Sequence, residues 1–386
     1  MRTRAEQLRY VWIFLLILVS CSSLRTATTS AVPISTDVTA LADGWPITAP
    51  EKQGMDSEVL TAMLAEVEEQ AYAVDSVTII RNGYLVLDAS VYPYSTSEQH
   101  IIHSCTKSIV SALIGIAIAE GFIASADIPV LALFPDRDVA NVNQRKEQIT
   151  LEHLLTMTSG LDCQDSYLYR WAGLNQMRAS TDWVQYVLDL PMVAPPGTRF
   201  EYCNGASFLL SAIISEKTDM SAHEFADQHL FGPLGISDVT WPTNPAGINI
   251  GWGELRMLPH DMAKIGYLYL NNGSWEGKQV VPAEWIATSS AEYISATLED
   301  GYGYQWWVTD SGYYLSLGYA GQFIYVVPER DLVAVFTSDL EERDFNTPQN
   351  LLDEYIIPAA VAAGPLPENP HGIAELNTVV DRLAAP

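Results

Sequence analysis

The chain has 386 residues, with 47 Asp and Glu against 20 Lys and Arg, for a formal charge of −27. Only six of those bases are lysines, so nucleic acid and anionic membrane surfaces are excluded as partners bound through a basic face. An apolar share of 48% can bury a large core, which excludes global disorder, and four cysteines are too few for a disulfide scaffold.

Arg2, Arg4 and Arg9 precede an apolar run over residues 11–19. A basic stretch before a short apolar run is the pattern of a secretory signal, here residues 1–20, and the run is too short to span a bilayer. Leu18-Val19-Ser20-Cys21 resembles a bacterial lipobox, in which Cys21 carries the lipid. An ordinary cleaved signal and an uncleaved anchor are the alternatives. The mature chain is therefore expected outside the cytoplasm, as a membrane-anchored lipoprotein or else periplasmic or secreted. Its only membrane contact would be that signal or lipid anchor. Cleavage removes three Arg and one Glu and moves the charge from −27 to −29. Residues 21–45, rich in Ser, Thr and Ala, read as a flexible tether.

Residues 57–69 place Leu60, Met63, Leu64 and Val67 on one helical face. Two β-rich runs, 77–81 and 84–88, flank Asn82-Gly83, a strong hairpin signal because both turn residues need positive φ. A helix over about 105–120 is apolar on nearly all sides and so is expected to be buried. Residues 122–290 read as a helical, loop-rich insert, with helices near 151–157, 183–188, 206–216 and 260–270. Strands return at 304–308, 313–317, 322–327 and 332–337, followed by a helix near 351–362 kinked at Pro358. Residues 364–386 read as a surface tail. The fold class is α+β: an antiparallel sheet built from both chain ends over residues 46–363, flanked by helices, with a mostly helical inserted subdomain.

The seven histidines show no metal-ligand spacing with Cys or Glu, so neither metal nor cofactor is expected. One catalytic signature is present, Ser104-Cys105-Thr106-Lys107. Residues three apart on a helix share a face, and a weak serine nucleophile needs an adjacent base. A lysine becomes that base when burial disfavours its ammonium form. Tyr202-Cys203-Asn204 adds a hydroxyl that can exchange protons and an amide that can bond a substrate carbonyl. Tyr269-Leu270-Asn271 has the same spacing but reads as a packed helix end. Gly318-Tyr319-Ala320-Gly321-Gln322 leads into a strand where a substrate can approach the backbone; a plain turn is the alternative.

In this order and at these distances, the three pieces resemble the serine β-lactamase and D-alanyl-D-alanine peptidase superfamily. The resemblance is to the branch of class C β-lactamases, esterases and aminohexanoate-dimer hydrolases. It covers about residues 45–362 and extends to Leu154-Leu-Thr-Met-Thr-Ser-Gly-Leu-Asp162, Phe231-Gly-Pro-Leu-Gly235 and Tyr302-Gly-Tyr-Gln-Trp306. It implies Ser104 as the acylated nucleophile, Lys107 as its base and Tyr202 as the proton relay. It implies Asn204 as a substrate-orienting amide, and an oxyanion hole from the N–H groups of Ser104 and Gln322, beside Tyr319 and Gly321. Where β-lactamases carry Lys-Thr-Gly or His-x-Gly, this chain has Tyr319-Ala320-Gly321. The missing cation argues against β-lactam or peptidoglycan substrates and favours small neutral esters or amides, hence a carboxylesterase or amidase.

Cys163 and Cys203 can pair beside the site in an oxidising compartment, with buried free thiols as the alternative. Tyr169, Trp171, Trp306 and Trp307 are candidates for cleft walls or for core. His103, His153 and His260 read as structural. The expected function is serine hydrolysis of an ester or amide. A binding protein on a retired hydrolase fold, or an acyltransferase using the same acyl-enzyme, are its rivals.

Overall fold

The Asn82-Gly83 pair adopts the positive φ its turn requires, 51° and 78°. The strands Val74–Arg81 and Tyr84–Ser90 pair antiparallel around it. This computed structural model describes residues 44–165 and 171–386, with the backbone of Thr39–Ala40. The signal segment, Cys21, most of the tether and Tyr169 lie outside the described residues.

The hairpin's first strand pairs with Leu332–Ser338, which pairs with Gln322–Val327, which pairs with Tyr314–Gly318. Both chain ends thus meet in the centre of one sheet, ten-stranded among the described residues. It is antiparallel apart from one parallel pair, Ile47 beside Leu85. Every residue of Leu332–Ser338 is buried, so both faces are covered. Pro259–Leu270 packs on the central strands, where Gly266 admits the side chains of Val333 and Ile324.

The helix carrying the Ser-x-x-Lys lysine is Thr106–Ala119, and it is buried through Ala117. Its Gly115 leaves room for the Trp285 ring. It packs against Asn204–Thr218 from the helical insert.

Two expectations change. The strand expected over 304–308 is broken: only Gly301–Tyr302 and Trp307–Val308 are strands, and Gln305 between them has φ 63°. Its side chain turns inward, donating to the carbonyls of Leu154 and Leu155 and accepting from Ser207 Oγ. Residues 364–386 are not a surface tail. Pro370–Leu383 is a helix whose Ile373, Leu376, Val379, Val380 and Leu383 are buried against Ser57–Glu69 and the hairpin. Arg382 clamps Glu68, and Tyr92 N–H donates to the Leu383 carbonyl. The folded domain therefore runs to the C-terminal helix.

Candidate active site

Ser104 lies in a 3₁₀ turn, His103–Cys105, immediately before the buried helix. His103 has φ 46°, a conformation uncommon for a residue with a side chain. It is held there by Thr106 Oγ1, which donates to the His103 carbonyl at 2.7 Å, and by edge-on packing against Tyr319. Ser104 is partly exposed, whereas Lys107 is 2% exposed.

Lys107 Nζ is 3.0 Å from Ser104 Oγ, 2.9 Å from Asn204 Oδ1 and 2.7 Å from the Trp252 carbonyl. Burial lowers its pKa to about 7; the charge of Asp165 pushes the other way. The two carbonyl oxygens can accept only N–H donors. A neutral amine has two N–H groups for them and one lone pair, which then faces the serine hydroxyl.

The Tyr202 ring lies 4.8 Å from Lys107 Nζ and stacks on Trp307. Burial raises the pKa of its phenol, with the Ser104 side chain opposing, so Tyr202 carries its proton at neutral pH. Asn204 is buried and accepts from Lys107 through Oδ1, leaving Nδ2 for a substrate. His103 is held neutral: burial, then the charges of Arg256 and Lys107, push its pKa to about 4. Burial also pushes the Cys105 thiol up to about 12, and it donates to the Gln322 carbonyl. It is an inert packing thiol.

The Gly318–Gln322 turn adjoins the Ser104 turn. Gly318 sits against the Ile102 carbonyl, too close for any side chain, and Gly321 has φ 93°. Tyr319 is 66% exposed at the rim. The Gln322 side chain turns away to donate to the Ser338 carbonyl at 2.5 Å. Of the aromatic candidates, Trp306 is core, packed on Tyr269 and Tyr314; Trp307 supports Tyr202; Trp171 is half-buried. His153 caps its own helix through Thr150, and His260 pairs with Asp88.

Cys163 and Cys203 form a disulfide. Cys203 also caps the Asn204–Thr218 helix, accepting from Ala206 N–H. Next to it sits Asp165, which nothing in the local sequence marked. It is 2% exposed and accepts from Asn204 N–H at 2.8 Å and Leu174 N–H at 2.6 Å. The Trp252 carbonyl was equally invisible, since a backbone acceptor leaves no residue signature.

A sequence model of the family described as Beta-lactamase matches residues 52–354. The chain belongs to the Beta-lactamase family. The α+β architecture is that of the β-lactamase and transpeptidase fold, and the family places the chain among hydrolases built on it. This Beta-lactamase family chain is 22% identical to the 6-aminohexanoate-dimer hydrolase of Paenarthrobacter ureafaciens, over 74% of this chain and 78% of that one. Among solved structures it is similar to EstCE1, a hydrolase with promiscuous acyltransferase activity. There the TM-score is 0.66 at 14% identity, covering 79% of this chain and 99% of the other. It is also similar to a family VIII carboxylesterase, with a TM-score of 0.63 at 13% identity, covering 80% and 98%.

Proposed function

We propose that the chain is an extracytoplasmic serine hydrolase that cleaves an ester or amide through an acyl-enzyme on Ser104. The observation that carries this reading is Lys107: a buried amine with two fixed carbonyl acceptors and its remaining valence on Ser104 Oγ. Lys107 takes the hydroxyl proton as Ser104 attacks the carbonyl carbon. The backbone N–H of Ser104 and one from the turn ending at Gln322 receive the oxyanion. Tyr202, which holds its proton at neutral pH, passes it to the leaving alcohol or amine. Water then attacks the acyl-enzyme, and the proton movements reverse. Esters and amides are favoured over β-lactams because Tyr319-Ala320-Gly321 supplies no cation for a carboxylate.

The test is a fluorophosphonate probe with intact mass, beside turnover of chromogenic short esters and anilides. One probe adduct per chain, absent in Ser104→Ala, is expected. An undiminished adduct in that variant, or no turnover across acyl lengths and leaving groups, would sink the reading. The retired-fold alternative predicts that second result.

A further inference from the structure

Gln305, which breaks the strand expected over 304–308, is bonded to three helices at once. It is 1% exposed and has φ 63°, a left-handed conformation that a residue with a side chain keeps only where its surroundings hold it there. Its Nε2 donates to the carbonyls of Leu154 at 3.2 Å and Leu155 at 2.7 Å. These end the short helix Leu151–Leu155, where carbonyls run out of intrahelical donors. Its Oε1 accepts from Ser207 Oγ at 2.7 Å, on the Asn204–Thr218 helix. Its backbone carbonyl accepts from Ser108 Oγ at 2.7 Å, on the Thr106–Ala119 helix. Both hydroxyls are fully buried.

The two serines stand next to the candidate site. Ser108 follows Lys107 in the chain, and Ser207 lies three residues after Asn204, on the same helical face. The 2.9 Å bond from Lys107 to Asn204 crosses between these two helices, and Gln305 bridges the same gap. Two residues past the bend comes Trp307, whose ring stacks on Tyr202. We propose that Gln305 is a positioning residue for the site: it sets the spacing of the two helices, and with it the approach of Lys107 to Asn204 and Ser104. It acts through Ser108 and Ser207 rather than on substrate. The inference rests on the serine-hydrolase reading and names what holds that site's base in place.

A side chain that only closed off the Leu154 and Leu155 carbonyls would support stability and nothing else. A positioning residue also supports the base. When the two helices part, water reaches the amine, and the burial that lowers the Lys107 pKa to about 7 weakens. The titratable groups around that amine are Asp165, Cys105, Tyr202 and His103, and none of them is altered by a change at Gln305 or Ser207. An upward shift therefore reports the spacing of the helices.

Gln305→Met, Ser207→Ala and their combination are compared with the native chain on a neutral chromogenic ester between pH about 5 and about 9. Ser211→Ala is the control. It removes a buried hydroxyl, bonded to the Asn249 carbonyl, one turn further along the same helix. Gln305→Met is expected to lower kcat about tenfold or more, with KM changed less than about twofold, and to move the acid limb up from about 7. Ser207→Ala should do the same in smaller measure, and the combination should be no worse than Gln305→Met alone. Ser211→Ala should lower the melting temperature and leave the limb in place. A native kcat and limb in folded Gln305→Met overturn the positioning role and leave the hydrolase reading standing. If Gln305→Met does not fold, Ser207→Ala decides by the same two readouts. NMR titration of Lys107 in chain labelled with carbon-13 lysine reads the shift without turnover. A raised pKa in the variants of a chain that hydrolyses nothing keeps the positioning role and sinks the hydrolase reading; an unmoved one overturns the positioning role.

Discussion

In the proposed chemistry Lys107 is the base, and its environment dictates a pH profile. Its pKa falls from the usual lysine value to about 7, so the neutral base gains population as pH rises through that value. The acid limb of kcat/KM is expected near pH 7, with activity rising above it, measured on a neutral ester. Asp165 pulls the opposite way, since its charge favours the ammonium. Asp165→Asn is expected to move that limb to lower pH. An unmoved limb would mean that Asp165 only braces the loop. Lys107→Ala should lower kcat/KM on the order of a thousandfold. At this scale the sequence was readable where spacing is local: Ser104 and Lys107, three residues apart, meet because the helical turn brings them together, whereas Tyr202 reaches the lysine from a distant segment and was found by its motif. Asn204 was read as a substrate-orienting amide; its Oδ1 accepts from the lysine, a bond the sequence did not reveal, and its Nδ2 is left for a substrate. Asp165 and the Trp252 carbonyl come from distant segments, which no local pattern encodes.

Among the elements, the Asn204–Thr218 helix fixes half of the site, and the Cys163–Cys203 bridge ties its start to the Asp165 loop. Reduction is expected to cost roughly 2–4 kcal/mol of stability, and with it activity. Thermal melts with and without a reductant check this; identical melts and rates would show that the bridge is dispensable. The C-terminal helix makes a comparable demand. Leu376 is fully buried beneath it, so Leu376→Ala should cost about 2–5 kcal/mol in urea unfolding. The apolar spacing of that helix was legible, but a Pro-rich approach made the segment look like a tail. The broken strand near Gln305 has the same kind of cause: a side chain satisfying carbonyls of a remote helix overrode β-propensity.

For the whole molecule, the acidic balance posed an obstacle to a neutral lysine, and burial is what overcomes it. Burial acts the other way on carboxyls. Asp75 is raised from 3.8 to about 7, so the folded state binds its proton more tightly than the unfolded state between those values. Its contribution to stability is complete below the unfolded pKa and is lost as pH rises through about 7. The melting temperature of the native chain should therefore fall relative to Asp75→Asn as pH passes from about 5 to about 8. A constant difference across that range would refute the assignment. The α+β class and the meeting of both chain ends were readable from hairpin and strand signals. The order of the sheet became certain only when distant strands were seen paired.

That central pairing has a consequence in time. Residues 74–81 find their sheet partner only in residues 332–338, and the helix that covers the hairpin comes later still, at Pro370–Leu383. A chain emerging from the ribosome cannot complete its core until nearly all of it has been made, since contacts so far apart in sequence form late and slowly. Until then the hairpin's edge is unmatched and the Thr106–Ala119 helix has no finished sheet beside it. The same topology that fixes Ser104 in the folded protein leaves the growing chain without its candidate site until synthesis is nearly complete.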